Sequence, residues 1–182
     1  SVTAALLKKA GFEVVGVFMK NWSKDVGDYG CTWAEDSEDA RKVANILDIP
    51  FYVWDFEQEY YDKVVESFLK EYKAGRTPNP DVVCNSKIKF DLFLKKALAL
   101  GADKVATGHY ARIVETSNKK QVTRYKLFKG VDPAKDQSYF LYTLTQKQLS
   151  KIMFPIGGYK KSQIRQLAKK FQLPNFAKKD SQ

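Results

Sequence analysis

The sequence predicts an α/β fold, a doubly wound and mostly parallel sheet, on three observations. Apolar runs rich in β-branched and aromatic residues, FEVVGVFM (12–19), FYVWDF (51–56) and KVATGH (104–109), lack the polar alternation of a half-exposed strand. Stretches with apolar residues three and four apart separate these runs, so helix and strand alternate over residues 1 to about 110, as a sheet with right-handed crossovers requires. Glycines at 11, 75 and 101 sit where helix C-termini are expected.

Each element has its own justification. VTAALLKKA (2–10) spaces its apolar residues as a helix and stops at Gly11. Residues 12–19 then read as a strand buried on both faces, and residues 20–36 as a polar loop containing Cys31. Asp36 or Ser37 can cap a helix running to Leu47, which Ile49-Pro50 closes before the strand 51–56. Tyr61, Val64, Val65, Phe68, Leu69 and Tyr72 place one strongly amphipathic helix between Gln58 and Lys73. The two prolines of RTPNPDVVCN (76–85) predict a shaped loop, with a helix from about 86 to 100 after it. ARIVET and QVTRYKLF, joined by Ser117-Asn118-Lys119-Lys120, predict an appended antiparallel hairpin. DQSYFLYTL, TQKQLSKIM and KKSQIRQLAKKFQL read as helical, so a second, helical unit is expected from about residue 145.

Composition narrows the function classes. The hydrophobic content is 44% with twelve Phe, enough for a real core and incompatible with a disordered tail. Lys and Arg outnumber Asp and Glu 31 to 21, a net charge of +10 that suits a polyanionic partner, although a solvated lysine surface explains the same excess. Cys31 and Cys84 show no metal-ligand or disulfide-framework spacing and fit a reducing compartment. No apolar run reaches the roughly 20 residues that span a bilayer, and no signal peptide opens the chain, so a cytoplasmic protein is expected, or a mitochondrial one if a targeting peptide lies upstream. The missing initiator Met and the final Lys-Asp-Ser-Gln are read as boundaries of a shortened chain.

In an open parallel sheet, ligands bind beyond the carboxyl ends of the strands. Met19-Lys20-Asn21-Trp22, Trp54-Asp55-Phe56 and Thr107-Gly108-His109-Tyr110 are expected there, around a nucleotide pocket. Cys84 precedes a helix beginning at Asn85 or Ser86, and with Lys87 and Lys89 nearby its thiolate should be accessible, which favours a nucleophile. A packed small apolar residue is the alternative. Asp81 is better suited to proton transfer on a substrate than to activating that sulfur. His109, the only histidine, is read as either a hydrogen-bonded structural residue or a catalyst, and Gly108 as a point of close backbone approach. Lys135, Asp136 and Gln137 can contact a nucleic-acid base, or Asp136 can cap a helix. Gly157-Gly158 reads as a turn, not a phosphate loop.

FMKNW (18–22), AGRTPNPDVVCN (74–85), TGHYAR (107–112) and KDQSYFLYTL (135–144) occur in this order, and together they resemble the tRNA-specific 2-thiouridylase family over the whole chain. The resemblance implies a fold of the adenine nucleotide alpha hydrolase type, with an ATP-pyrophosphatase domain over 1–144 that lacks its phosphate loop and the start of a helical tRNA-binding domain over 145–182. It implies adenylation by ATP, with Mg2+ expected, of the C2 oxygen of a wobble uridine in tRNA, then displacement of AMP by a persulfide sulfur from a donor or relay protein. Met19 and Gly108 match ATP-lining positions. Asn79, Pro80 and Asp81 match the segment touching the target uridine, with Asp81 as acid/base. Cys84 matches the first catalytic cysteine, and His109 with Lys135–Gln137 match positions approaching tRNA. The phosphate loop, second catalytic cysteine and C-terminal β-barrel of the family are expected outside the sequence, so the 182-residue chain alone is expected to lack thiolation activity and to bind ATP weakly. An ATP-dependent ligase or amidase and a non-catalytic nucleotide- or RNA-binding module remain the rival readings.

Overall fold

A computed structural model describes residues 1–24, 31–117 and 123–178. Part of the expected loop 20–36, the hairpin turn at Asn118–Lys120 and the last residues, Lys179–Gln182, lie outside these. The chain divides into two compact units, Ser1–Glu57 with Lys160–Gln182, and Gln58–Tyr159. Both have the α/β character that the sequence predicts.

In the first unit, α1 (Val2–Lys9) buries Val2 and Ala5 and ends before Gly11, whose φ of +87° only glycine adopts at little cost. Lys8 Nζ donates to the carbonyls of Leu47 and Asp48. β1 (Gly16–Lys20) pairs in parallel with β2 (Phe51–Asp55), from Gly16 opposite Phe51 to Lys20 opposite Asp55. The strand is shorter than the apolar run and half-buried, with Phe12 51% and Val15 50% exposed. Its ladder starts where Gly16 N donates to Pro50 O (2.8 Å), and Pro50 has no N–H to carry the pairing further back.

Between these strands, α2 (Trp33–Ile46) buries Val43 and Ala44. It starts earlier than expected because Thr32 takes the N-cap position, leaving Glu35 and Asp36 in the first turn, where the helix dipole favours acids. α8 (Lys161–Lys170) packs against α1 and buries Ile164 and Ala168, and Lys178 bridges Asp36 and Asp39 at 2.6 and 3.0 Å.

The second unit is built on two long helices, each with a π stretch inside it. The first is α3 (Glu57–Tyr60), a π turn at Tyr61–Val65 and α4 (Glu66–Lys73), and it ends at Gly75 with φ +73°. The second is α5 (Pro80–Val83), a π stretch at Cys84–Phe93 and α6 (Leu94–Ala99), before Gly101 with φ +94°. Ile88 and Phe90 on it are fully buried. The expectation that two prolines keep residues 76–85 out of a helix is corrected. Proline is unfavourable in a helix interior but suits the first position, and Pro80 occupies it.

β3 (Val105–Ala106) pairs in parallel with β6 (Ile152–Met153), and β4 (Ala111–Ser117) pairs antiparallel with β5 (Thr123–Lys129) in the expected hairpin. Both parallel sheets are two-stranded among the described residues. The helix expected over TQKQLSKIM is only α7 (Gln146–Leu149), closed by a Thr145–Gln148 capping box. Ile152 and Met153 leave it for the β ladder, and Pro155 beyond them bars a helix. DQSYFLYTL is likewise not a helix but one 3-10 turn (Ser138–Phe140), because side chains of the preceding residues bind backbone elsewhere. The turn at Gly157 has a second reason for glycine: a Cβ there would lie 1.7 Å from Ala111 O. Among the described residues no helix is long and apolar enough to cross a membrane.

Candidate active site

The proline segment initiates the second long helix. Asn79, held extended by the proline after it, accepts hydrogen bonds on Oδ1 from the N–H groups of Asp81 (3.0 Å) and Val82 (3.3 Å). Asp81 therefore stands exposed in the first turn, at the positive end of the helix. Cys84 follows one turn later, half-buried, where the α geometry passes into π. Its N–H is already bonded to the first-turn carbonyls of Pro80 and Asp81, so the cysteine is past the helix terminus.

This corrects the expected low-pKa thiol. Burial pushes the Cys84 thiol above its ordinary value, Lys89 pulls it down and Asp81 pushes it up. Burial wins because the sulfur lies beyond the free N–H groups that would have favoured the anion. Lys89 is itself lowered by burial, against the pull of Cys84 and Asp81, and its Nζ donates to Asn85 Oδ1 at 3.0 Å. Tyr60 faces the same place, its hydroxyl raised first by burial and then by Cys84 and Asp81. Lys89 is one of the two lysines that the sequence already places near Cys84, whereas Tyr60 and Asn85 were missed as site residues, and only the four-residue spacing from Asn85 to Lys89 could have signalled the second of these.

His109 is buried, 8% exposed, between the rings of Phe90 and Phe154 with centroids 5.7 and 5.6 Å away. Its Nδ1 is hydrogen-bonded to Thr107 Oγ1 (2.7 Å). Burial, helped by Lys89, brings its pKa down to about 3, so the ring is neutral at pH 7. Gly108 beside it is exposed. The strand expected through His109 stops at Ala106: after the ladder bond from Thr107 N to Met153 O, the next donor would be the N–H of residue 155, and Pro155 has none.

Lys135, Asp136 and Gln137 lie in one turn that organises backbone. Asp136 Oδ1 accepts from the N–H groups of Gly130 (2.9 Å) and Ser138 (3.3 Å), and Oδ2 from the Ser138 hydroxyl (2.9 Å). Burial pushes the Asp136 carboxyl up, but those hydrogen bonds outweigh it and hold the carboxyl below its ordinary value. Gln137 Oε1 accepts from Tyr110 N while Gln137 N donates to Tyr110 O, both at 3.1 Å.

In the first unit the carboxyl ends of β1 and β2 carry a separate polar cluster. Met19 lies opposite Trp54, and Lys20 opposite Asp55. Lys20 Nζ reaches Glu57 Oε2 (2.5 Å) and Asp55 Oδ2 (3.4 Å) and sits 4.8 Å from the centre of the Trp33 ring. The Glu57 hydrogen bond raises the Lys20 pKa, and Lys20 holds Glu57 low in turn. Asn21 Oδ1 is buried with no hydrogen-bond partner among the described residues. Cys31, the other free cysteine, lies with its sulfur 3.5 Å from Trp22 O.

The family model described as tRNA methyl transferase HUP domain matches residues 1–182. The chain belongs to that family. A HUP domain has a Rossmann-like α/β fold, in accord with the parallel pairs β1–β2 and β3–β6. This HUP domain is 54% identical over 182 residues to the tRNA-specific 2-thiouridylase MnmA of Shouchella clausii, covering 100% of the chain and 48% of that relative. It is 54% identical over 181 residues to the MnmA of Bacillus licheniformis and 52% identical over 181 residues to that of Bacillus pumilus, covering 47% of each. The chain thus spans about half the length of the curated relatives it matches.

Proposed function

We propose that this HUP domain is the adenylating part of a tRNA 2-thiouridylase, in which ATP activates the C2 oxygen of a wobble uridine and a persulfide sulfur replaces it. One observation carries the reading: a carboxylate and a half-buried thiol, Asp81 and Cys84, stand one turn apart on a helix that starts rigidly at Asn79-Pro80. An ATP-dependent ligase has no use for that thiol. The relatives' printed activity, tRNA-specific 2-thiouridylation, needs one.

Asp81 is exposed and accepts a proton from the uridine ring as the C2 oxygen attacks the α-phosphate and pyrophosphate leaves. The terminal sulfur of the carrier persulfide then attacks C2, and AMP departs with the oxygen. Cys84 Sγ attacks the inner sulfur of the carrier, the S–S bond to the new thiouridine breaks, and a disulfide between Cys84 and the carrier cysteine forms for later reduction by an external thiol. By family resemblance that carrier cysteine belongs to the longer protein.

The family implies ATP use, and Met19 and Gly108 are the positions proposed to face it. Among the described residues no group of three or more His, Cys, Asp or Glu side chains converges to hold a metal, so the Mg2+ expected with ATP is assigned no side-chain ligands here. Asn79, Pro80 and Lys135 are proposed to approach the tRNA. Asp136 and Gln137 enter as the groups that fix the backbone beneath, since Asp136 Oδ1 and Gln137 Oε1 accept from backbone N–H groups, and His109 as a buried ring held by the Thr107 hydroxyl. Residues 145–182 are proposed to begin the tRNA-binding part, and the protein to work in the cytoplasm with a persulfide relay partner.

The test is Cys84→Ser in the full-length protein, with 2-thiouridine in tRNA read by mass spectrometry and tRNA affinity by filter binding. The expected result is loss of 2-thiouridine with affinity kept within about twofold. Undiminished 2-thiouridine in this variant would refute the reading in favour of an adenylating ligase or a binding module.

A further inference from the structure

The second unit holds a cation that the chemistry above leaves unused. Lys89 lies in the π stretch Cys84–Phe93, whose i→i+5 hydrogen bonding widens the helical turn. In a regular α-helix, neighbours on one face are three or four residues apart, and a residue five along points away. The wider turn brings residue 89 back under residue 84. Asn85, 3% exposed, fixes the arrangement by accepting the Lys89 Nζ hydrogen bond at 3.0 Å. Lys87, the other nearby lysine, is exposed.

Among the described residues, the titratable groups shown to interact with this ammonium are on the second unit. Cys84 and Asp81 are on the same helix, Tyr60 faces both from α3, and neutral His109 approaches from the segment after β3. Lys89 lowers the thiol and disfavours a proton on His109, while Cys84 and Asp81 favour the charged lysine. Asp81 is thus the only nearby carboxylate among these groups, and it stands exposed in the first turn, one turn before the sulfur.

We propose that Lys89, anchored by Asn85, is the positioning residue that stabilises the Cys84 thiolate for sulfur transfer. The inference rests on the thiolation reading. In the step it serves, the Cys84 thiol gives its proton to solvent, the sulfur electron pair forms the new S–S bond, and the bond between carrier and delivered sulfur breaks. A fixed ammonium beside the sulfur favours the anion that attacks and keeps it aimed, offsetting the burial that otherwise holds the thiol protonated.

The test uses full-length protein and iodoacetamide, with alkylation of the Cys84 peptide followed by mass spectrometry from pH 6 to 10. Lys89→Met is expected to move the alkylation profile about one unit higher, roughly a tenfold slower reaction at pH 7, while Lys89→Arg stays within about threefold of the native protein. Asn85→Ala, which releases the lysine without removing its charge, is expected to slow alkylation a few-fold and covers the case that Lys89→Met does not fold. In the tRNA assay, Lys89→Met should lower kcat with KM for tRNA unchanged, and recover as pH rises toward 9. Superimposed alkylation profiles for the native protein and either folded variant would overturn the proposal. A shifted profile combined with full 2-thiouridine formation by Cys84→Ser would instead overturn the thiolation reading, and with it the purpose assigned to the lysine.

Discussion

His109 shows how burial decides the behaviour of a single residue. Its folded pKa of about 3 lies below the ordinary value of 6.5, so the unfolded chain binds a proton that the folded chain refuses. The resulting stability is complete above pH 6.5 and is lost as pH falls toward 3, at up to about 1.4 kcal/mol per pH unit. Depressed carboxylates such as Asp36 and Asp136 lose stability in the same direction, but only at lower pH. Urea unfolding of the native protein and of His109→Gln between pH 7 and 4.5 separates them: the native protein should lose stability more steeply, and parallel curves would show that the ring is not neutral and buried. Gly157 is decided by space instead. A Cβ built there meets Ala111 O at 1.7 Å and Ala111 C at 2.5 Å, both backbone, so nothing flexible can give way. Gly157→Ala is expected to cost about 3 kcal/mol or more, read as a lowered urea midpoint with unchanged slope.

At the scale of elements, the start of the second long helix, at Asn79-Pro80, gives the sharpest prediction. Asn79 supplies the two cap hydrogen bonds, so Asn79→Ala should cost about 1 kcal/mol and speed amide exchange at Asp81 and Val82, while Asn79→Asp keeps the cap. Exchange rates unchanged in Asn79→Ala would remove the cap from the account. This is also where the sequence was least legible. RTPNPD contains both a helix stop and a helix start, and proline composition alone favours the stop, whereas Asn-Pro read as N-cap and N1 gives the observed helix. Helices whose apolar spacing is long and unbroken, such as residues 58–73 and 161–170, were readable, as was the hairpin, because their patterns are local. The 3-10 turn at Ser138–Phe140 and the strand at Ile152–Met153 were not. Each depends on partners far along the chain, Tyr110 for Gln137 and Val105 for Ile152, and local pattern carries no record of them. For the same reason Cys84 and Asp81 could be singled out from sequence, but the pull of burial on the thiol and the reach of Lys89 required the folded helix.

For the whole molecule the governing quantity is the net charge of +10. Many of its cations are matched in place: Lys20 by Asp55 and Glu57, Arg76 by Glu71, Lys95 by Asp91 and Lys178 by Asp36 and Asp39. The excess that remains sets the attraction for a polyanion, and Arg124, Lys126 and Lys129 present part of it on the exposed positions of β5. If about four such cations meet tRNA phosphates, each releases close to one counterion, and the slope of log affinity against log salt is about −3.6. Raising salt from 50 to 200 mM should then weaken tRNA binding roughly 150-fold. Arg124→Ala with Lys126→Ala should flatten the slope by about two and leave preference among tRNAs unaltered, because phosphate contacts position a nucleic acid without reading its bases. Filter binding of full-length protein across that salt range measures both. An affinity that changes less than twofold would mean that the lysine excess is only a solvated surface, and the polyanion would have to be recognised by the Asn79–Cys84 helix start and its neighbours alone.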